Sequence, residues 1–196
     1  MSIKQLAKDI QGFIKESYEY HEEFKDKEKH LLDNFHNGIL GDEGLSQEID
    51  KIRNEINEKK HERAEKLKAK IEQVHEKELK HIEDTTESIT VDELAELQLI
   101  SELGVTDEEM NGYIQKYKRK PLALKKLQEV AKDKGIIGVD FPRDRKQYLN
   151  TILGRWDNQV NRWQYMAFDE MTVKVEMYMN SAINGIDEDL RAYEQL

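Results

Sequence analysis

The chain contains no cysteine. That removes disulfides, thiolate metal sites and cysteine nucleophiles together, and it suits a reducing compartment. Proline occurs twice in 196 residues and glycine ten times, so few positions force the backbone out of a helix. Aromatic residues make up 8% and hydrophobic residues 37%, while 37% carry charge. That balance excludes a thick core and points to long helices with solvated outer faces. Disorder has a similar composition, but these apolar residues recur at a regular period. No stretch approaches the roughly 20 apolar residues of a membrane span. The opening MSIKQLAKDI lacks the apolar core of a signal peptide. The expectation is a soluble, cytoplasmic protein with no membrane partner.

Positive charge is nowhere in excess. Residues 1–84 carry 16 basic and 21 acidic side chains, residues 91–134 carry 8 and 9, and residues 135–196 carry 7 and 10, within a net charge of −10. No segment offers the basic field that non-specific nucleic-acid binding needs. Anionic membrane surfaces repel such a chain.

What the sequence does have is period. Ser2 and Gln5 are spaced as a capping box, followed by the helical stripe Ile3, Leu6, Ile10, Phe13/Ile14, Ser17, Tyr20, Phe24, Leu31, Phe35. It stops where Gly38, Gly41 and Gly44 supply breakers. A second stripe runs Leu45, Ile49, Ile52, Ile56, then Leu67, Ile71, Val74, Leu79, Ile82. The eleven-residue step from Ile56 to Leu67 is a stutter that sets Lys60, Arg63 and Ala64 on the seam. The short turn makes residues 1–84 a long antiparallel hairpin. A third stripe follows Pro142: Leu149, Leu153, Trp156, Val160, Trp163, Ala167, Met171, Val175, Tyr178, Ala182. It predicts one long helix over 142–196, with Pro142 in its first turn, a stop at Gly185 and a short tail helix from Asp187 to Leu196. Three long helices then form a bundle. The third covers the hairpin or lies at a subunit interface through Leu149, Leu153, Trp156, Val160, Trp163, Met171, Val175 and Tyr178.

Residues 90–135 read as a small three-helix module. Thr90/Glu93 and Thr106/Glu109 are capping boxes, Gly104 ends the first helix, and Pro121 opens the third, which runs to Gly135. The first two helices have a helix-turn-helix look. A DNA-reading helix makes its contacts mostly from its start, and this one starts Asp107, Glu108, Glu109. The basic cluster Lys116, Lys118, Arg119, Lys120, Lys125, Lys126 lies at the far end. It is a low-ranking nucleic-acid contact beside the simpler reading of a solvated helix end.

The stretch ELAELQLISELGVTDEEMNGYIQKYKRKPLALKKLQEVAKDKG, from Glu93 to Gly135, resembles helical modules of proteins from the structural gene clusters of phages and prophages of Gram-positive bacteria. The charged hairpin before it resembles phage assembly and scaffolding proteins in general style. The resemblance implies a virion component or assembly factor, found in the host cytoplasm or the virion. It implies self-association through helices and contacts with capsid or connector proteins. It carries no catalytic residues.

The strongest catalytic pattern is Glu-x-x-His, at Glu58/His61, Glu72/His75 and Glu78/His81. Two-metal helical bundles need such pairs on two helices plus two further inward carboxylates, and here all three lie on one predicted helix. His75 flanks the seam. There is no phosphate-binding glycine loop and no nucleophile or zinc signature. Trp156, Trp163 and Tyr165 at helical spacing read as core or interface anchors ahead of base-stacking platforms. The expected fold is all-α: an elongated helical hairpin and coiled-coil bundle, a small three-helix subdomain, and a long C-terminal helix. The expected role is a non-enzymatic structural or assembly protein with protein partners and no cofactor or metal. A nucleic-acid-associated protein and a ferritin-like metal-binding protein are the alternatives.

Overall fold

The computed structural model describes all residues 1–196. It is all-helical: α1 (Ile3–His36), α2 (Asp42–Thr85), α3 (Val91–Leu103), α4 (Asp107–Lys116), α5 (Pro121–Lys134), α6 (Arg145–Gln164) and α7 (Thr172–Glu194). The chain divides into two compact units. One comprises Met1–Glu76 and Leu149–Gln195, and the other Lys77–Tyr148, the terminal Leu196 aside.

The first unit is a bundle of four helices where three were expected. The stripe behind Pro142 does not stay in one helix. It breaks after Gln164, and the chain reverses through residues 165–171 before α7 begins. Cross-helix contacts set the directions. Lys70 reaches Asp9 and Arg63 reaches Glu16, so α2 descends along α1. His75 meets Asn150 and His61 meets Gln164, so α6 runs back along α2. Arg155 and Trp156 both engage Asp189, and Arg162 lies over the Tyr178 ring, so α7 is antiparallel to α6. Gln11 donates to Ile183 O and Asp187 Oδ1, which returns α7 to α1. This is an up-down-up-down bundle, and in sequence the residues of the second unit fall between those of its first and second halves.

Six of the eight residues expected at a subunit interface line the interior of this bundle: Leu149, Leu153, Trp156, Val160, Trp163 and Val175. Of the two placements open to this stripe, cover of the hairpin or a subunit interface, these six residues take the interior, with α7 folded back to enclose them. Met171 sits in the reversal and is exposed, and Tyr178 is half-buried beneath Arg162. Trp156 satisfies its indole N–H on Asp189 at 3.2 Å. Burial raises the Asp189 pKa, against the pull of Arg155 and of that hydrogen bond.

The helix ends correct the sequence reading in several places. Pro142 precedes α6, whose start is capped by Asp144 accepting from Gln147 N at 2.9 Å. Gly185 lies inside α7, and there is no separate tail helix. Gly44 lies in the first turn of α2, not in the turn before it. Ser2 caps α1, but the Gln5 side chain bonds Asp9 and so leaves the box half-made. Between Lys25 and Glu55 no residue is fully buried, because only the α1–α2 pair is present there. Leu31, Phe35 and Leu45 are half-covered at that end.

The second unit closes its own core. Leu97 and Ile100 from α3 meet Met110, Ile114 and Tyr117 from α4 and its cap, and Ala123, Leu127, Val130 and Ala131 from α5. Both capping boxes form, at Thr90/Glu93 and Thr106/Glu109. Gly135 caps α5 in the left-handed region at φ 68°.

Truncating Trp163 to alanine removes a fully buried indole from the first unit. The expected result is a loss of about 3–5 kcal/mol of stability with no change of mass in light scattering. A fall in mass instead would return this face to a subunit interface.

Candidate functional site

Ordinary polar chemistry concentrates where the chain reverses. The seam stutter turns Lys60 inward, and the structure leaves it 1% exposed. Its Nζ donates to Met166 O at 3.3 Å and stands 5.1 Å from the centre of the Phe168 ring. Phe168 in turn stacks on Phe24 at 4.4 Å. From α1, His21 presents Nε2 to Glu170 O at 3.0 Å. Two carbonyls of the reversal are therefore held by basic groups from two different helices. Phe24, Ile56 and Phe168 form the small core beneath, with Tyr20, Ile49 and Ile52 packed against it.

Burial pushes the Lys60 ammonium down to about 8. Burial also lowers His21, outweighing its hydrogen bond to Glu170, and the nearby Lys25 and Lys60 charges act in the same direction. A neutral imidazole that donates from Nε2 leaves Nδ1 as an acceptor, and that atom is buried without a partner, as are Ser17 Oγ and Trp163 Nε1. Ser17, on the α1 stripe, is buried.

An open cleft of about 730 Å³ lies over the reversal. One wall is a single face of α2: Arg53, Asn54, Asn57, Glu58 and His61. The other is Gln164 through Asp169. The Gln164 amide bridges the walls, with Nε2 against His61 Nδ1 and Oε1 accepting from Lys68 at 3.1 Å. The cleft is lined by amide, imidazole, guanidinium and carboxylate groups together with Met166, Ala167 and Phe168.

The Glu-x-x-His pairs do not assemble. His61 is engaged by Gln164, and His75 is half-buried with Nε2 2.7 Å from Asn150 Oδ1. No three acid or imidazole side chains converge as metal ligands do. The basic cluster is largely paired within its own unit. Lys116 bonds Glu96 at 2.7 Å, Lys120 bonds Glu93 at 2.7 Å, Arg119 lies 3.8 Å from Glu87, and Lys126 lies 3.4 Å from Glu129. The Lys120 contact holds Glu93 down to about 2. Lys118 and Lys125 are exposed. No helix is long and apolar enough to cross a membrane.

Sequence reasoning placed Lys60 on the seam but passed over His21, Gln164 and Phe168. His21 was legible, since it falls four residues after Ser17 and three before Phe24, in register with both. It takes the inward position that the sequence reading gave to Tyr20. Gln164 and Phe168 were hidden by the assumption of an unbroken helix.

Comparison with protein-family models found no match, and searches of curated proteins and of solved structures found none either.

Lys60 has a lower pKa folded than the ordinary lysine value of 10.5, so the unfolded chain binds more protons between about 8 and 10.5. Stability therefore rises as pH climbs through that window, by up to about 3 kcal/mol. His21, also lowered, makes stability fall as pH drops below the unfolded histidine value of roughly 6.5. Denaturant melts of the parent chain and of Lys60→Met across pH 7–10 check this. The variant loses the alkaline rise, and equal slopes for both proteins would refute the assignment.

Proposed function

We propose that this chain is a non-enzymatic interaction protein, in which the four-helix bundle is the scaffold and the small helical unit presents the partner-binding surface. One observation carries the reading. The small unit completes its own core and still displays Val91, Leu94, Leu99, Leu103, Leu122 and Ile137 to solvent. Scattered apolar side chains on a surface are unremarkable, but Val91, Leu99 and Leu103 gather along one short helix, and such a gathering marks an interaction site. The two-tryptophan face, by contrast, is spent inside the bundle.

The resemblance of Glu93–Gly135 to modules of phage and prophage structural proteins supplies the setting: assembly of a virion, with capsid or connector subunits as partners. The net charge of −10 and the internal pairing of the basic cluster favour a protein partner over nucleic acid.

The test is mass in solution. Mixed with capsid or connector subunits, the 23.2 kDa chain is expected to enter a defined complex in light scattering. No complex with any such subunit would remove the assembly reading.

A further inference from the structure

Helix α3 is apolar on more sides than its own unit can cover. Leu97 and Ile100 point into the core. Val91, Leu99 and Leu103 remain 83%, 55% and 82% exposed, and Ala95 between them is exposed as well. Residues 91, 95, 99 and 103 are spaced by four, which sets them along one side of the helix. Large apolar side chains gathered on one exposed side of a helix mark a surface that is covered by a partner.

Its charges say by what. Every charged residue on α3 is acidic: Asp92, Glu93, Glu96 and Glu102. Glu93 and Glu96 are engaged within the unit, by Lys120 and by Lys116 and Tyr117. Asp92 and Glu102 are exposed at the two ends of the outward side and make no ion pair. A second copy of α3, parallel or antiparallel, sets these carboxylates against each other. A helix bordered by cations sets opposite charges together. The net charge of −10 steers such a partner inward. The thirteen residues of α3 span roughly 20 Å, room for a partner helix of about four turns.

We propose that the outward side of α3, formed by Val91, Ala95, Leu99 and Leu103, seats an amphipathic helix of a partner protein whose apolar stripe is bordered by lysine or arginine. This rests on the interaction-protein reading above and names the kind of partner.

The experiment titrates the full chain into a labelled synthetic helical peptide with a leucine stripe bordered by lysine. The controls are a glutamate-bordered version and a scramble of the lysine peptide. The lysine peptide is expected to bind at least about tenfold tighter than either control, with the margin over the glutamate peptide shrinking at high salt. The double variant Leu99→Glu, Leu103→Glu, both at exposed positions, is expected to lose at least about tenfold in affinity with an unchanged melt. Equal binding of the scramble would mean charge alone is read, and equal binding of the glutamate peptide would overturn the charge assignment. Binding of none overturns the site. Doubling of mass with concentration, abolished by the double variant, would give the face to a second copy. A capsid or connector complex that survives the double variant would sink this inference and leave the broader reading standing.

Discussion

The reversal between α6 and α7 closes the bundle. Without it, the side chains of the C-terminal third face outward from a single rod, and α1 has only α2 to lie against. With it, α7 returns along α1 and Trp156 and Trp163 are enclosed. The turn contains neither glycine nor proline, so it is not imposed by local backbone chemistry. It is held from outside, by Lys60 on one carbonyl and His21 on another, with Phe168 stacked beneath. An ammonium in such a place carries a desolvation penalty, visible as its lowered pKa. The penalty is tolerated because the tryptophan layers that the turn makes possible are worth more. Each buried large side chain contributes about 1.5–3 kcal/mol.

This also explains which parts of the fold were legible in the sequence. Caps are local, and in the small unit the local signals were right: Thr90/Glu93 and Thr106/Glu109 close as spaced, and Gly104 and Gly135 end their helices. The seam stutter correctly put Lys60 and Ala64 inside. The reversal is tertiary. From Trp163 to Val175 the presumed stripe takes three successive steps of four, each carrying it further round the helix. That spread still fits one face of a helix, so no local spacing marked the break, and Ala167 and Met171, assigned to the stripe, are exposed. The half-made cap at Ser2 shows the converse, since Gln5 has the right spacing and yet finds Asp9.

Both units keep large apolar side chains on their surfaces. The bundle encloses its tryptophans and still exposes Ile39, Tyr165, Met171, Val173 and Met177. The small unit has a complete interior of nine buried residues and still keeps leucine and valine outside. Its basic side chains, which from sequence alone looked available, are mostly occupied by Glu87, Glu93, Glu96 and Glu129. Pairing across helices that are distant in sequence is what a linear reading misses, because Lys116 and Glu96 meet only once α3 and α4 have packed.

The small unit interrupts the bundle at one place, between α2 and α6, so the scaffold experiences it as a single connecting loop. The entropy of closing a loop grows only with the logarithm of its length, about 0.6 kcal/mol for each doubling. The closing cost is accordingly set by the span from Thr85 to Arg145 and changes little with its length. Segments can be exchanged, lengthened or diversified there while the four rods around Trp156 and Trp163 stay as they are. That architecture lets the connecting segment vary apart from the frame that carries it.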